Sequence, residues 1–135
     1  MLRSLVLFVL LPIFATVAAS QQINLFSDDN EYLGCYTCSQ YEPDAICNEY
    51  GNYGSSYSGN SIWNEYGSYG SEYSSYSPWN SYSSSGPKMV DNAGNFYGRF
   101  SINTYAGFSQ SSELNQLYNR VNGDLEVLRR FLCDS

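Results

Sequence analysis

The side chains in this sequence that could do chemistry are four cysteines and a scatter of carboxylates. Histidine is absent, which removes Ser-His-Asp and Cys-His nucleophiles and the usual imidazole metal ligand. Lys88 is the only lysine, and no glycine-rich loop leads into a helix to cradle a phosphate. Cys35-Tyr36-Thr37-Cys38 has a spacing shared by redox, zinc and disulfide motifs. Zinc would have to recruit Cys47, the remote Cys133 or a carboxylate to complete its coordination. A redox role lacks the strand-to-helix setting that lowers a thiol pKa. Structural disulfides among Cys35, Cys38, Cys47 and Cys133 are therefore the expectation. Of the possible pairings, closeness in sequence favours Cys38 with Cys47, leaving Cys35 for Cys133.

Among the carboxylates, Glu49 and Glu65 form the one formal acid–base pair. They occupy equivalent positions of an internal repeat, whereas acid–base catalysis needs unlike environments to separate two pKa values. Asp28, Asp29 and Glu31 crowd one turn and are weak calcium candidates, without the ligand spacing of an EF-hand loop. No catalytic residue and no cofactor is expected.

The charge is distributed unevenly. The chain carries a net −7, and from Ser20 to Pro87 there is no Lys or Arg against eight acidic residues. A surface without cations cannot neutralise phosphates and is repelled by anionic lipid, so nucleic acid is not an expected partner.

The elements that must position these groups follow from patterning. Met1 to Ser20 reads as a secretory signal, with Arg3, an apolar run from Leu5 to Val17, and the small residues Ala18, Ala19 and Ser20. That run falls short of the ~20 residues needed to span a bilayer, so no transmembrane anchor is expected after cleavage. The remainder, 21–135, reads as a single disulfide-stabilised domain in a secreted or periplasmic protein.

Its centre is a repeat of 16 residues. Tyr41, Tyr57 and Tyr73 are equivalent, as are Asn48, Asn64 and Asn80, and Tyr50, Tyr66 and Tyr82. Each copy reads as one helical turn and a loop: Ser77-Pro78-Trp79-Asn80 places a capping residue before a proline at the first helical position. A thin β-solenoid and a disordered tract are the alternatives. Ile62-Trp63 and Pro78-Trp79 fall where the first copy has Ile46-Cys47, so a residue that anchors by burial alternates with one that anchors covalently. The indoles read first as local core and second as ligand contacts, together with Tyr50, Tyr66 and Tyr82.

Two hairpins bracket the repeats, one at 21–40 around Ser27–Glu31 and one at 88–104 around Asp91–Gly94. Within the second, Phe96, Gly98, Phe100 and Ile102 alternate with Tyr97, Arg99 and Ser101, which predicts one buried face. From 111 to 133 the period becomes helical. Leu114, Leu117, Tyr118, Val121, Leu125, Leu128 and Leu132 share a stripe that survives Gly123, so one amphipathic helix is expected. The fold class is α+β: a small sheet from the two hairpins, covered by that helix, with the turn repeats at 41–87 between them.

Tyr32-Leu33-Gly34, the two runs Asn48–Ser55 and Asn64–Ser71, and the hairpin Gly94-Asn95-Phe96-Tyr97-Gly98 together resemble a set of uncharacterised exported bacterial proteins. Those proteins carry tandem Asn-x-Tyr-Gly-x-Tyr-Gly-Ser repeats flanked by Tyr-Leu-Gly hairpins. The resemblance implies export and no known activity. The expected function is a non-catalytic structural or interaction module, with an unknown protein or polysaccharide as partner. A carbohydrate or cell-wall binder using Trp63, Trp79 and the tyrosines is the alternative, and a calcium-stabilised surface module a further one.

Overall fold

The computed structural model describes residues 21–106 and 111–134. The expected signal segment, 1–20, lies outside the described residues. β1 (Ile23–Phe26) and β2 (Tyr32–Cys35) form the first hairpin, and β3 (Lys88–Asp91) and β4 (Phe96–Arg99) the second. The sheet order is β2-β1-β3-β4, all antiparallel, with Ile23 opposite Asp91 and Phe26 opposite Lys88 where the hairpins join. A lone hairpin is marginal in water, and this pairing gives each a second partner. The sheet of two hairpins is as the sequence predicts.

β4 ends earlier than its alternation suggests. The register slips between Lys88 and Val90, and Gly98 takes a φ of 101°. A bulge of this kind turns side chains to the other face, and Phe96, expected in the core, is 60% exposed. Ser101, Ile102 and Asn103 are all buried, because the chain there has left the sheet and joined the repeats.

The repeat segment contains no helix; in the second copy its one i→i+4 bond, Ser71 N–H to the Gly67 carbonyl, is a single helical turn that is not continued. Its backbone bonds run Ser61–Asn64, Asn64–Gly67, Gly67–Ser71, Ser71–Ser74 and Ser74–Ser77, with N···O distances of 3.0 to 3.3 Å. Four three-residue steps and one four-residue step thus make up the 16-residue period, as a chain of β-turns interrupted by one α-turn. Ser77 accepts from the Trp79 N–H at 3.0 Å, as a cap would. The next steps continue as turns because Ser, Asn and Gly offer the backbone local partners that compete with a helix. Gly54 and Gly70 admit no side chain: a Cβ would lie 1.9 Å from the Asn48 carbonyl oxygen and 2.1 Å from that of Asn64.

Successive copies are tied through the interior. Trp63 donates its indole N–H to the Ile46 carbonyl at 2.7 Å, and Trp79 donates to Ile62 at 2.6 Å. The last carbonyl of this series, that of Pro78, accepts from the Ile102 backbone N–H at 2.9 Å. The two indoles stack at 5.5 Å between centroids and are 1% and 2% exposed.

The C-terminal stripe is carried by two helices, not one: α1 (Ser111–Arg120) and α2 (Leu125–Cys133). Asn122 (φ 54°) and Gly123 (φ 71°) are left-handed, and their N–H groups bond the Asn119 and Tyr118 carbonyls. That is a Schellman stop. Asp124 then caps α2, accepting from the Glu126 and Val127 N–H groups. The break restarts the helix in phase, which is why the apolar stripe does not register it. Leu114, Leu125 and Leu128 are buried against the sheet and the repeats, and Tyr118 stacks on Trp79 at 5.8 Å with its plane 5° away.

The disulfides are Cys35–Cys38 and Cys47–Cys133, not the pairing that sequence distance favoured. Cys35 ends β2, and a tight turn brings Cys38 back to it, with 5.5 Å between Cα atoms. Cys47 stands in the tryptophan slot, whose face is turned to the C-terminal helices, and so meets the last residue of α2.

Candidate functional site: a row of tyrosine recesses

A local rule sets the tyrosines. Tyr50, Tyr66, Tyr82 and Tyr105 each follow an asparagine by two positions, and that asparagine's Oδ1 accepts the tyrosine's backbone N–H at 3.0 to 3.1 Å. Tyr41, Tyr57 and Tyr73 follow serines by two, with the hydroxyl as acceptor at 3.1 to 3.3 Å. The asparagine amides of the three copies reach back to the carbonyls of Glu42, Ser58 and Ser74. Each asparagine thus clamps two turns and fixes its tyrosine outward. The exposures are 85 to 95%, the reverse of the two indoles six positions after Tyr57 and Tyr73.

These tyrosines frame three recesses between the repeats and the C-terminal helices, and the recesses are in register. One is lined by Tyr41, Cys47, Asn48, Glu49 and Tyr50, with Arg129 and Arg130 of α2 on its far wall. The next has Tyr57, Trp63, Asn64, Glu65 and Tyr66, walled by 122–126. The third has Tyr73, Trp79, Asn80, Ser81 and Tyr82, walled by Asn115, Tyr118 and Asn119 of α1. Their volumes are about 690, 760 and 540 Å³. Between the second and third, Tyr66, Glu72 and Tyr73 line a further space of about 520 Å³.

Their linings combine phenols, side-chain amides and carboxylates. Hydrogen bonding of Tyr66 to Glu65 and of Tyr73 to Glu72 raises both phenol pKa values above the ordinary range. Glu49 and Glu65 line separate recesses, and Glu49 is held by Arg129 at 3.3 Å. Trp63 and Trp79, considered as ligand contacts, contribute only buried edges to the recess floors; Tyr50, Tyr66 and Tyr82 stand at the rims.

The calcium candidates are otherwise engaged. Asp28 pairs with Arg99 at 2.7 Å, Asp29 accepts the Ser27 hydroxyl, and Glu31 closes the turn through its backbone. A second group, Glu42 and Asp44 beside Cys38, was not legible in the sequence. Its sulfur is in a disulfide, which is not a thiolate donor, and Asp44 accepts the Tyr32 hydroxyl at 2.7 Å.

No described helix is long and apolar enough to cross a membrane. Sequence reasoning paired the tyrosines by period but missed their helical wall, since 115–134 lies far along the chain. Comparison with protein-family models, curated proteins and solved structures returns no match, so the recess row has to be read from its own chemistry.

Proposed function

We propose that this is an exported, non-catalytic interaction module whose recognition surface is the row of register-equivalent recesses. The observation that carries the reading is the outward hold on the tyrosines. Three copies use a side-chain clamp to keep two phenols in water, although burying such rings would favour the fold. Aromatic rings kept exposed on a rigid scaffold suit contact with a partner. Export is supported by the signal-like Met1–Ser20, by disulfides on all four cysteines, and by the resemblance to exported bacterial proteins.

A carbohydrate reading keeps one specific support. Exposed tyrosine faces beside Asn48, Asn64 and Asn80 combine a stacking surface with amide hydrogen-bonding groups. Buried indoles remove Trp63 and Trp79 from that role, so it rests on the tyrosines alone.

The test is a triple substitution, Tyr57→Ala/Tyr66→Ala/Tyr82→Ala. These rings are exposed, so melting should move little. Parent and variant are passed over peptidoglycan, insoluble polysaccharides, and immobilised basic, acidic and neutral peptides. Retention of the parent on one matrix, lost in the variant, is the expected result. Retention that ignores all three tyrosines would reject the site.

A further inference from the structure

We infer that the occupant of this recess row is an extended basic peptide, its Lys or Arg side chains lodged against the tyrosine rings and the carboxylates between them. The inference rests on the interaction-module reading and adds the class of partner.

Charge complementarity carries it. The second and third recesses and the space between them are lined by Glu65, Glu72, Asp124 and Glu126, with no Lys or Arg among their lining residues. All four acids are exposed; Asp124 is engaged as the α2 cap and Glu126 lies 3.8 Å from Arg129, which leaves Glu65 and Glu72 as the pair open to a cation. Glu65 and Glu72 each line the space between the recesses beside a phenol of the row, Tyr66 and Tyr73. A ring face next to a carboxylate attracts a cation twice, through the quadrupole of the ring and through the charge. Repetition then points to a polymer. The recesses recur with the period of the chain, so a ligand offering one cation in each would gain from several weak contacts on one scaffold.

The Cys47 end differs. There Arg129 is 7% exposed, is held by Glu49, and keeps an Nε without a hydrogen-bond partner among the described residues, with Arg130 beside it. The Arg129 Nε is itself buried, so the exposed Arg130 is the donor that reaches this recess, which suits an acceptor such as a peptide carbonyl. A ligand with cationic side chains and backbone carbonyls supplies both kinds of group. A neutral glycan supplies acceptors but leaves Glu65 and Glu72 without counter-charge.

The test uses the full disulfide-bonded protein and fluorescein-labelled hexa-arginine and hexa-lysine, with a neutral Gly/Ser hexapeptide and cello- and chito-oligosaccharides as alternatives. Basic peptides should bind, with affinity falling about tenfold or more between ~50 and ~500 mM salt as the charges are screened. Glu65→Gln/Glu72→Gln should weaken binding about tenfold, and Tyr57→Ala/Tyr66→Ala should do likewise. Tyr57→Phe/Tyr66→Phe, which keeps the rings, should retain most of it. Glu31→Gln/Glu113→Gln removes the same charge outside the recesses and should change little. An equal loss in that control would reduce the effect to net charge and overturn the inference. Oligosaccharide binding that needs the tyrosines and ignores salt would overturn the basic partner while sparing the module. Probes whose binding ignores both the tyrosines and the glutamates would reject both.

Discussion

The first copy of the repeat and the two that follow hold one slot by different chemistry. Trp63 and Trp79 fill it by stacking, and each also donates its indole N–H to the copy before. Cys47 fills it with a bond to the last residue of α2. No copy precedes Cys47, so there is no carbonyl for an indole to satisfy, and only the demand for an anchor remains. The slot therefore sets two separate requirements, and the copies show which of them applies at each position.

Substitutions can separate the two requirements. The largest loss is expected from Cys47→Ala/Cys133→Ala. The loop closed by this bond spans 86 residues, for which the loop-entropy relation gives about 4.5 kcal/mol. Denaturant unfolding should show it, with Cys35→Ala/Cys38→Ala costing about 1.5 kcal/mol by the same relation because its loop is short. Equal losses would mean that chain entropy does not govern these bonds.

Trp79→Ala comes next, at about 4 kcal/mol, because the indole packs on Trp63, Phe100 and Tyr118. Trp79→Phe keeps a ring but leaves the buried Ile62 carbonyl without its donor, which should cost about 1 to 3 kcal/mol. If the phenylalanine variant is as stable as the parent, the indole N–H is not needed and the slot asks only for bulk.

The smallest effect compares the repeats with the second hairpin. Neutral amides and hydroxyls hold the turns, whereas the Asp91 carboxylate holds β3–β4. It accepts from the Asn95 side chain first, then from the Asn95 and Ala93 N–H groups and the Tyr97 hydroxyl. These bonds lower its pKa from 3.8 to about 2. A depressed carboxylate stabilises the fold above the unfolded value, and that contribution is lost as pH falls through about 2. Amide exchange in β3–β4 should accelerate between those pH values while the Trp63 indole N–H stays protected. Simultaneous loss of both would show that the hairpin and the turns open as one unit.

How much of this was legible in the sequence depended on the range of the interactions involved. Ile23–Phe26 and Tyr32–Cys35 announced themselves through local β propensity and a polar turn between them. The slot of Cys47, Trp63 and Trp79 was visible because the period repeats it. The stop at Asn122-Gly123-Asp124 was written in cap chemistry, but an apolar stripe that keeps its phase hides a break. The disulfide pairing was not legible, since Cys47 and Cys133 meet only after the repeats and helices pack. Half of each recess escaped notice for the same reason: tyrosines on one wall and α1 or α2 on the other belong to distant parts of the chain. The Asn-x-Tyr clamp is local and could have been read, whereas a serine two positions earlier binds the N–H of the buried Trp63 and Trp79 as well as that of exposed tyrosines.

The bond between Cys47 and Cys133 also determines how the molecule would carry a mechanical load. A pull applied outside the two cysteines passes through the sulfur atoms, and the 86-residue separation between them stays slack. About 300 Å of contour length is withheld from extension. β1 lies outside that loop and β3 inside it, so force would peel the first hairpin from the second. The tyrosine row from Tyr50 to Tyr82, inside the loop, would keep its shape under such a load.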